Sequence, residues 1–190
     1  MALNETDRKE VLICLDKIVS LNIDNIISSD LVRAKETTQI INEKLHLPVR
    51  FDSRLREINF GNLQGRLIQD ITQDEWDIFN KTPHEVNAES WEDVYLRVKS
   101  FFDELDDIKN TLIVTHGGVI RMAKYLSQNP HSFDWNEYEK TALHLKIKNT
   151  EVLNNICESI DLSDDTYSIY SSLIKNPNFK NQNALKNFAD

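Results

Sequence analysis

The chain has 190 residues, 40% of them hydrophobic and 28% charged, which suits one domain with a full core. A net charge of −9, with no basic stripe to offset it, excludes general nucleic-acid affinity; it leaves phosphate esters open, because these answer to local donors and cations. The longest apolar runs, such as Val11 to Leu15, are far too short to span a membrane, and the N-terminus lacks the pattern of a signal peptide. Cys14 and Cys157 form no paired motif, so the sequence reads as a cytoplasmic protein without a membrane partner.

Residues 4–20 read as a helix capped by Asn4 or Thr6, with Val11, Leu12, Leu15, Ile18 and Val19 at helical spacing and Cys14 a small buried hydrophobe among them. A short strand is predicted at Asp24 to Ser28. A helix follows at 31–45, with Ala34, Thr38, Ile41 and Leu45 on one face, and Pro48 ends it before a strand at Val49 to Phe51. Residues 52–66 read as a charged loop with Gly61 and Gly65. Residues 67–89 read as polar and aromatic, with Trp76 and Phe79 a suggested aromatic lining. Ser90 and Asp93 predict a capped helix over 90–106 whose apolar stripe, from Trp91 to Leu105, reads as core and not as a ligand box. Thr111 to Thr115 has the continuous apolar and β-branched character of a strand buried on both faces, leading through His116-Gly117-Gly118 into a helix at Val119 to Leu126. Ala142 to Lys148 alternates with period two, a strand with His144 on its outer face. The expected organisation is one domain over 1–156 and a C-terminal extension or tail over 157–190. Helices alternating with short strands imply an α/β fold, a layered sheet with helices on both faces.

Three segments carry chemistry. The first is strand, His116-Gly117-Gly118, helix. A helix start leaves backbone N–H groups unpaired, the glycines admit a ligand close to that backbone, and an imidazole stands at the strand's carboxyl end, where open α/β sheets bind ligands. The second is Ser28-Ser29-Asp30-Leu31-Val32-Arg33-Ala34, which places Arg33 in a first helical turn. Its planar fork suits a phosphate there, and the competing reading is a surface arginine paired with Asp30 or Glu36. The third is Leu55-Arg56-Glu57-Ile58-Asn59-Phe60-Gly61, where aliphatic neighbours would desolvate the Glu57 carboxyl and suit it to donate a proton; the competing reading is an ordinary loop glutamate.

In this order and spacing, with Thr37-Thr38 after the second segment and Val119-Ile120-Arg121 after the first, the segments resemble the histidine phosphatase superfamily, also called phosphoglycerate-mutase-like. The resemblance runs from residue 1 to about 154 and is nearest to the bacterial branch of small phosphatases of the α-ribazole phosphatase type. It implies a phosphoglycerate-mutase-like fold. It makes Arg33 a phosphate-binding residue, Glu57 the acid, His116 the second histidine of the phosphate pocket and Gly117 a backbone donor. The implied partner is a small phosphorylated substrate or ligand, with no cofactor and no metal.

The same resemblance implies a nucleophilic histidine in an Arg-His-Gly motif at the end of a first, central strand, beside another phosphate-binding arginine. These 190 residues contain no such motif. Met1 to Arg8 already resembles the Pro-Leu-Thr-Glu stretch that follows it, so the chain is expected to begin after the motif, with the first strand missing or replaced. Gln64 stands where a glutamate is common, and Ala88-Glu89-Ser90 where Gly-Glu-Ser is common. The expected function is that of a phosphomonoester hydrolase, inactive as this chain stands because the nucleophile is absent. The alternative is a pseudophosphatase that binds a phosphorylated ligand or a protein partner. Without the first strand, its neighbours would expose unpaired backbone in the core. Either they close up, or the stretch Thr166 to Ile174 supplies a substitute, or the chain is part of a longer protein.

Overall fold

The computed structural model describes residues 2–105, 109–140 and 173–176. The expected strand at 142–148, with His144, and Cys157 lie outside the described residues. Helix α1 spans Glu5–Val19, β1 Asn25–Ser28, α2 Val32–Leu45 and β2 Val49–Phe51. They are followed by α3 at Gln73–Lys81, α4 at Trp91–Asp103, β3 at Thr111–Val114, α5 at Gly117–Gln128 and β4 at Leu173–Asn176. Residues 135–140 are helical as well.

Local chemistry sets these boundaries. Asn4 caps α1 in a reciprocal box with Asp7, and Ser90 does the same for α4 with Asp93, so each cap satisfies backbone donors that the first turn leaves free. Helix α5 starts at Gly117, two residues before the expected start, because His116 keeps extended backbone and serves as its N-cap. The predicted stripe of α1 is rotated. Val11, Cys14, Leu15 and Ile18 are buried, whereas Leu12 and Val19 are exposed.

The sheet order is β2-β1-β3-β4. Strand β1 pairs in parallel with both β2 and β3, so Ile26 stands opposite Val49 and Leu112, and Ser28 opposite Phe51 and Val114. Alternation along the strands builds two cores. Ile26, Leu112 and Val114 face α1 and α2, packing on Val11, Leu15, Ile18 and Ile41. Ile27 and Ile113 face the other way, onto Val98, Phe101, Val119 and Met122 of α4 and α5. This is an α/β/α sandwich with helices on both faces of the sheet, as expected from the alternation of elements.

Strand β4 pairs with the side of β3 away from β1, antiparallel, with Ile113 opposite Ile174. The C-terminal stretch thus adds a strand beside the one that carries the His116 segment. Of the predicted substitute Thr166 to Ile174, Leu173 and Ile174 fall within β4, and 166–172 lie outside the described residues.

Candidate active site

The parallel register of β1 and β3 brings their carboxyl ends side by side. Ser29 N–H donates to the Val114 carbonyl at 2.8 Å, so Ser29 and His116 leave the sheet together. Both are buried, His116 to 5% exposure. The Ser29 hydroxyl accepts from Leu31 N–H at 3.3 Å, turning the chain into α2 and setting Arg33 in the first turn.

Arg33 Nε donates to His116 Nδ1 at 3.2 Å. A guanidinium has no acceptor, so Nδ1 presents its lone pair and the imidazole proton sits on Nε2, which donates to Ser29 Oγ at 2.8 Å. The ring is neutral. Burial pushes His116 from its ordinary 6.5 down to about 3, the Arg33 and Arg97 cations push the same way, and Asp30 opposes them. Burial also lowers Arg33, and Glu57 within electrostatic reach offsets part of it.

Both carboxylates expected to compete for Arg33 are engaged elsewhere. Asp30 takes a two-pronged bond from Arg56 at 2.6 and 2.5 Å, and Glu36 pairs with Arg8 at 3.0 Å. Among the described residues Arg33 forms no ion pair. A partly desolvated guanidinium that donates to a neutral imidazole is short of negative charge, and an anion in that space would answer it.

Glu57 closes the other side. Leu55 and Ile58 are buried on either side of it, and Thr115 Oγ1 donates to the Leu55 carbonyl at 2.7 Å, tying the loop to the end of β3. The Glu57 carboxylate accepts from Ile58 N–H at 3.0 Å and from Gly118 N–H at 3.1 Å, so it sits at the N-terminus of α5. That contact requires glycine: a Cβ on Gly118 would stand 2.2 Å from Glu57 Oε1. Gly117 N–H is a first-turn donor without an intrahelical acceptor, which leaves it for a ligand.

The sequence-predicted residues Arg33, Glu57, His116 and Gly117 therefore meet at one end of the sheet. Ser29, quoted in the second segment without a role, takes the Nε2 side of the His116 ring, whose tautomer Arg33 fixes from the other side. Arg97 is ion-paired with Glu89 and donates to the Arg54 carbonyl, so it holds the loop under the site. The suggested lining by Trp76 and Phe79 is not what forms. Phe79 is buried in the core, stacked on Phe60 at 5.2 Å between ring centres, with Trp76 edge-on to both. The aromatic group that borders the site is Trp91, Trp135 and Tyr138.

Fold and site together define an α/β protein in which an arginine, a neutral histidine, a glutamate and a helix N-terminus converge at the carboxyl end of the sheet. The chain belongs to the histidine phosphatase superfamily (branch 1), which it matches over residues 1–150. It is 37% identical over 107 residues to a probable phosphoglycerate mutase GpmB of Salmonella paratyphi A, covering 52% of this chain and 50% of that protein. The chain thus spans about half the length of this curated relative. Bacillus stearothermophilus YhfR shares the fold with a TM-score of 0.57 and 28% identity, over 67% of each chain. A mycobacterial glucosyl-3-phosphoglycerate phosphatase, solved with VO3, aligns with a TM-score of 0.56 and 29% identity over 66% of this chain and 69% of its own. No helix among the described residues is long and apolar enough to cross a membrane.

Proposed function

We propose that these 190 residues form the phosphate-binding and acid side of a phosphomonoester hydrolase pocket, and that as they stand they bind a phosphorylated ligand without hydrolysing it. The observation that carries this reading is Arg33, a half-buried cation whose described partner is neutral His116. A phosphate placed there would accept from Arg33, from Gly117 N–H and from His116 once the ring takes a second proton. Glu57, held beside Gly118, is positioned to protonate the leaving oxygen.

Hydrolysis by way of a covalent intermediate also needs an attacking atom. The other described histidines do not offer one here. His46 caps the far end of α2, roughly 20 Å along the helix from Arg33, His84 lies in the turn before α4, and His131 is exposed in the loop after α5. The test is titration of the chain with inorganic phosphate, alongside an assay with 4-nitrophenyl phosphate. Saturable binding that weakens about ten-fold or more in Arg33→Met, with no turnover above background, is expected. Turnover abolished by His116→Ala would overturn the non-hydrolytic reading, and absence of binding would overturn the pocket.

A second reading is favoured by the share of the relative that is matched, about half of its length. In it the same residues are one part of a longer, active phosphomonoesterase. In-frame codons for Arg-His-Gly upstream of Met1 would establish it, and a stop codon directly upstream would remove it.

A further inference from the structure

Next to Glu57 the structure places a group of aromatic rings that the phosphate pocket does not use. Trp91, at the start of α4, lies with its indole edge 3.5 Å from the point where a Gly118 Cβ would stand, and Glu57 Oε1 is 2.2 Å from that same point. Tyr138 packs on Trp91 with ring centres 4.9 Å apart, and Trp135 completes a triangle at 6.4 Å from Trp91 and 5.8 Å from Tyr138. The rings are tilted by 41°, 37° and 41° to one another, so they form an open wedge instead of a closed stack.

Core packing accounts for part of this group: Tyr138 belongs to the core that α4 and α5 share and Trp91 packs against it, whereas Trp135 lies outside that core. The rest of the α4 stripe is buried, but Trp91 is only partly covered and Trp135 is 37% exposed. Tyr138 is the reverse case. It is 2% exposed, yet its hydroxyl finds no hydrogen-bond partner among the described residues. Arg121 stands close enough to that hydroxyl to act on it as a hydrogen-bond donor, and Glu57 lies within electrostatic reach of it. The segment that carries Trp135 and Tyr138 is also held in place. Buried Tyr125 accepts from Asp134 N–H at 2.7 Å and donates to the Ser132 carbonyl at 3.2 Å.

We propose that Trp91, Trp135 and Tyr138 form the subsite for the alcohol part of the phosphate monoester, and that this alcohol is a planar aromatic. The proposal rests on the phosphate-pocket reading. An acid that protonates the leaving oxygen must face the alcohol side of the ester, and Glu57 is the group the rings border. The accessible parts of Trp91 and Trp135, with buried Tyr138 behind them, offer ring faces and edges to which a flat ring stacks or packs edge-on. The wedge offers few hydrogen-bonding groups, the Tyr138 hydroxyl and Arg121, where a polyol would need one for each of its hydroxyls. Arg121 forms no ion pair among the described residues and suits a ring that carries an acceptor.

The test uses the full 190-residue chain and calorimetric titration with inorganic phosphate, phenyl phosphate and glycerol 2-phosphate. Phenyl phosphate is expected to bind about ten-fold more tightly than glycerol 2-phosphate. In Trp135→Ala, a surface change that leaves the core intact, that preference is expected to fall below about three-fold while the affinity for inorganic phosphate is unchanged. Phenyl phosphate is also expected to shift the indole N–H resonances of Trp91 and Trp135, and inorganic phosphate to leave Trp135 in place. Equal binding of the two esters, or a preference that survives Trp135→Ala, overturns the subsite while the phosphate pocket stands. No binding of inorganic phosphate overturns the pocket itself, and the subsite with it.

Discussion

At the scale of single residues, the site depends on one imidazole kept neutral. His116 is buried between Arg33 and Arg97, with Asp30 the opposing charge, and its folded value of about 3 lies below its ordinary 6.5. Unfolded chains therefore bind a proton at His116 across that window that the folded protein does not. The stabilising contribution is present above the ordinary value and is lost as pH falls from there toward the folded one. Acidic residues paired in the folded state act in the same direction, so the comparison must be with His116→Gln, in which they cancel. The difference in unfolding free energy between native chain and variant is expected to shrink between about pH 7.5 and pH 4.5. A difference that stays constant across that range would mean that the ring takes up its proton as readily in the fold as in the unfolded chain. Much of this site was legible residue by residue, because Arg33, Glu57 and His116 each stand in a segment with its own local pattern. What was not legible is why Arg33 is left without a carboxylate. Asp30 is claimed by Arg56 from a loop 26 positions away, and spacing along the chain holds no record of that pairing.

At the scale of elements, the loop that presents Glu57 is fastened at several points and not by regular structure. Thr115 holds it from β3, Glu89 N–H donates to the Asn59 carbonyl, and Arg97 anchors Glu89 in turn. Gly61 is where this loop passes closest to the turn before α4. Its φ is +56°, and a Cβ there would stand 2.0 Å from the Val86 carbonyl oxygen. Both the left-handed backbone and the backbone contact demand glycine. Gly61→Ala is therefore expected to destabilise the protein by about 3 kcal/mol, read as a lower midpoint in urea with an unchanged slope. A midpoint within error of the native chain would show that loop and turn separate at little cost. The glycine was visible in the sequence, whereas the carbonyl it passes was not, since contacts between loops leave no periodic trace. The same limit explains α1. Helical spacing identified the helix, but which apolar residues face inward depends on how α2 lies against it, and Leu12 ended outside, at 55% exposure.

At the scale of the whole molecule, β3 is the element on which the rest depends. All four of its residues are buried, it faces both cores, and its carboxyl end carries His116. Parallel pairing to β1 satisfies one side of its backbone, and the antiparallel contact with residues 173–176 satisfies the other. The need for a strand in that position could be argued from the sequence, since buried backbone groups must be paired. Its place in the chain was legible in part, since the strand-like stretch Thr166 to Ile174 overlaps β4 at Leu173 and Ile174. A chain ending at residue 172 would leave that side of β3 bare, exposing a flat apolar edge. Such a chain is expected to unfold at lower urea concentration, to lose amide-exchange protection at Thr111 to Val114, and to associate at concentrations where the full chain does not. Phosphate binding should weaken with it, because β3 sets the position of His116 against Ser29 and Arg33. Full protection of β3 in the shortened chain would show that another segment covers the edge. Lost protection with undiminished phosphate binding would show instead that β1 and the Glu57 loop suffice to hold the pocket.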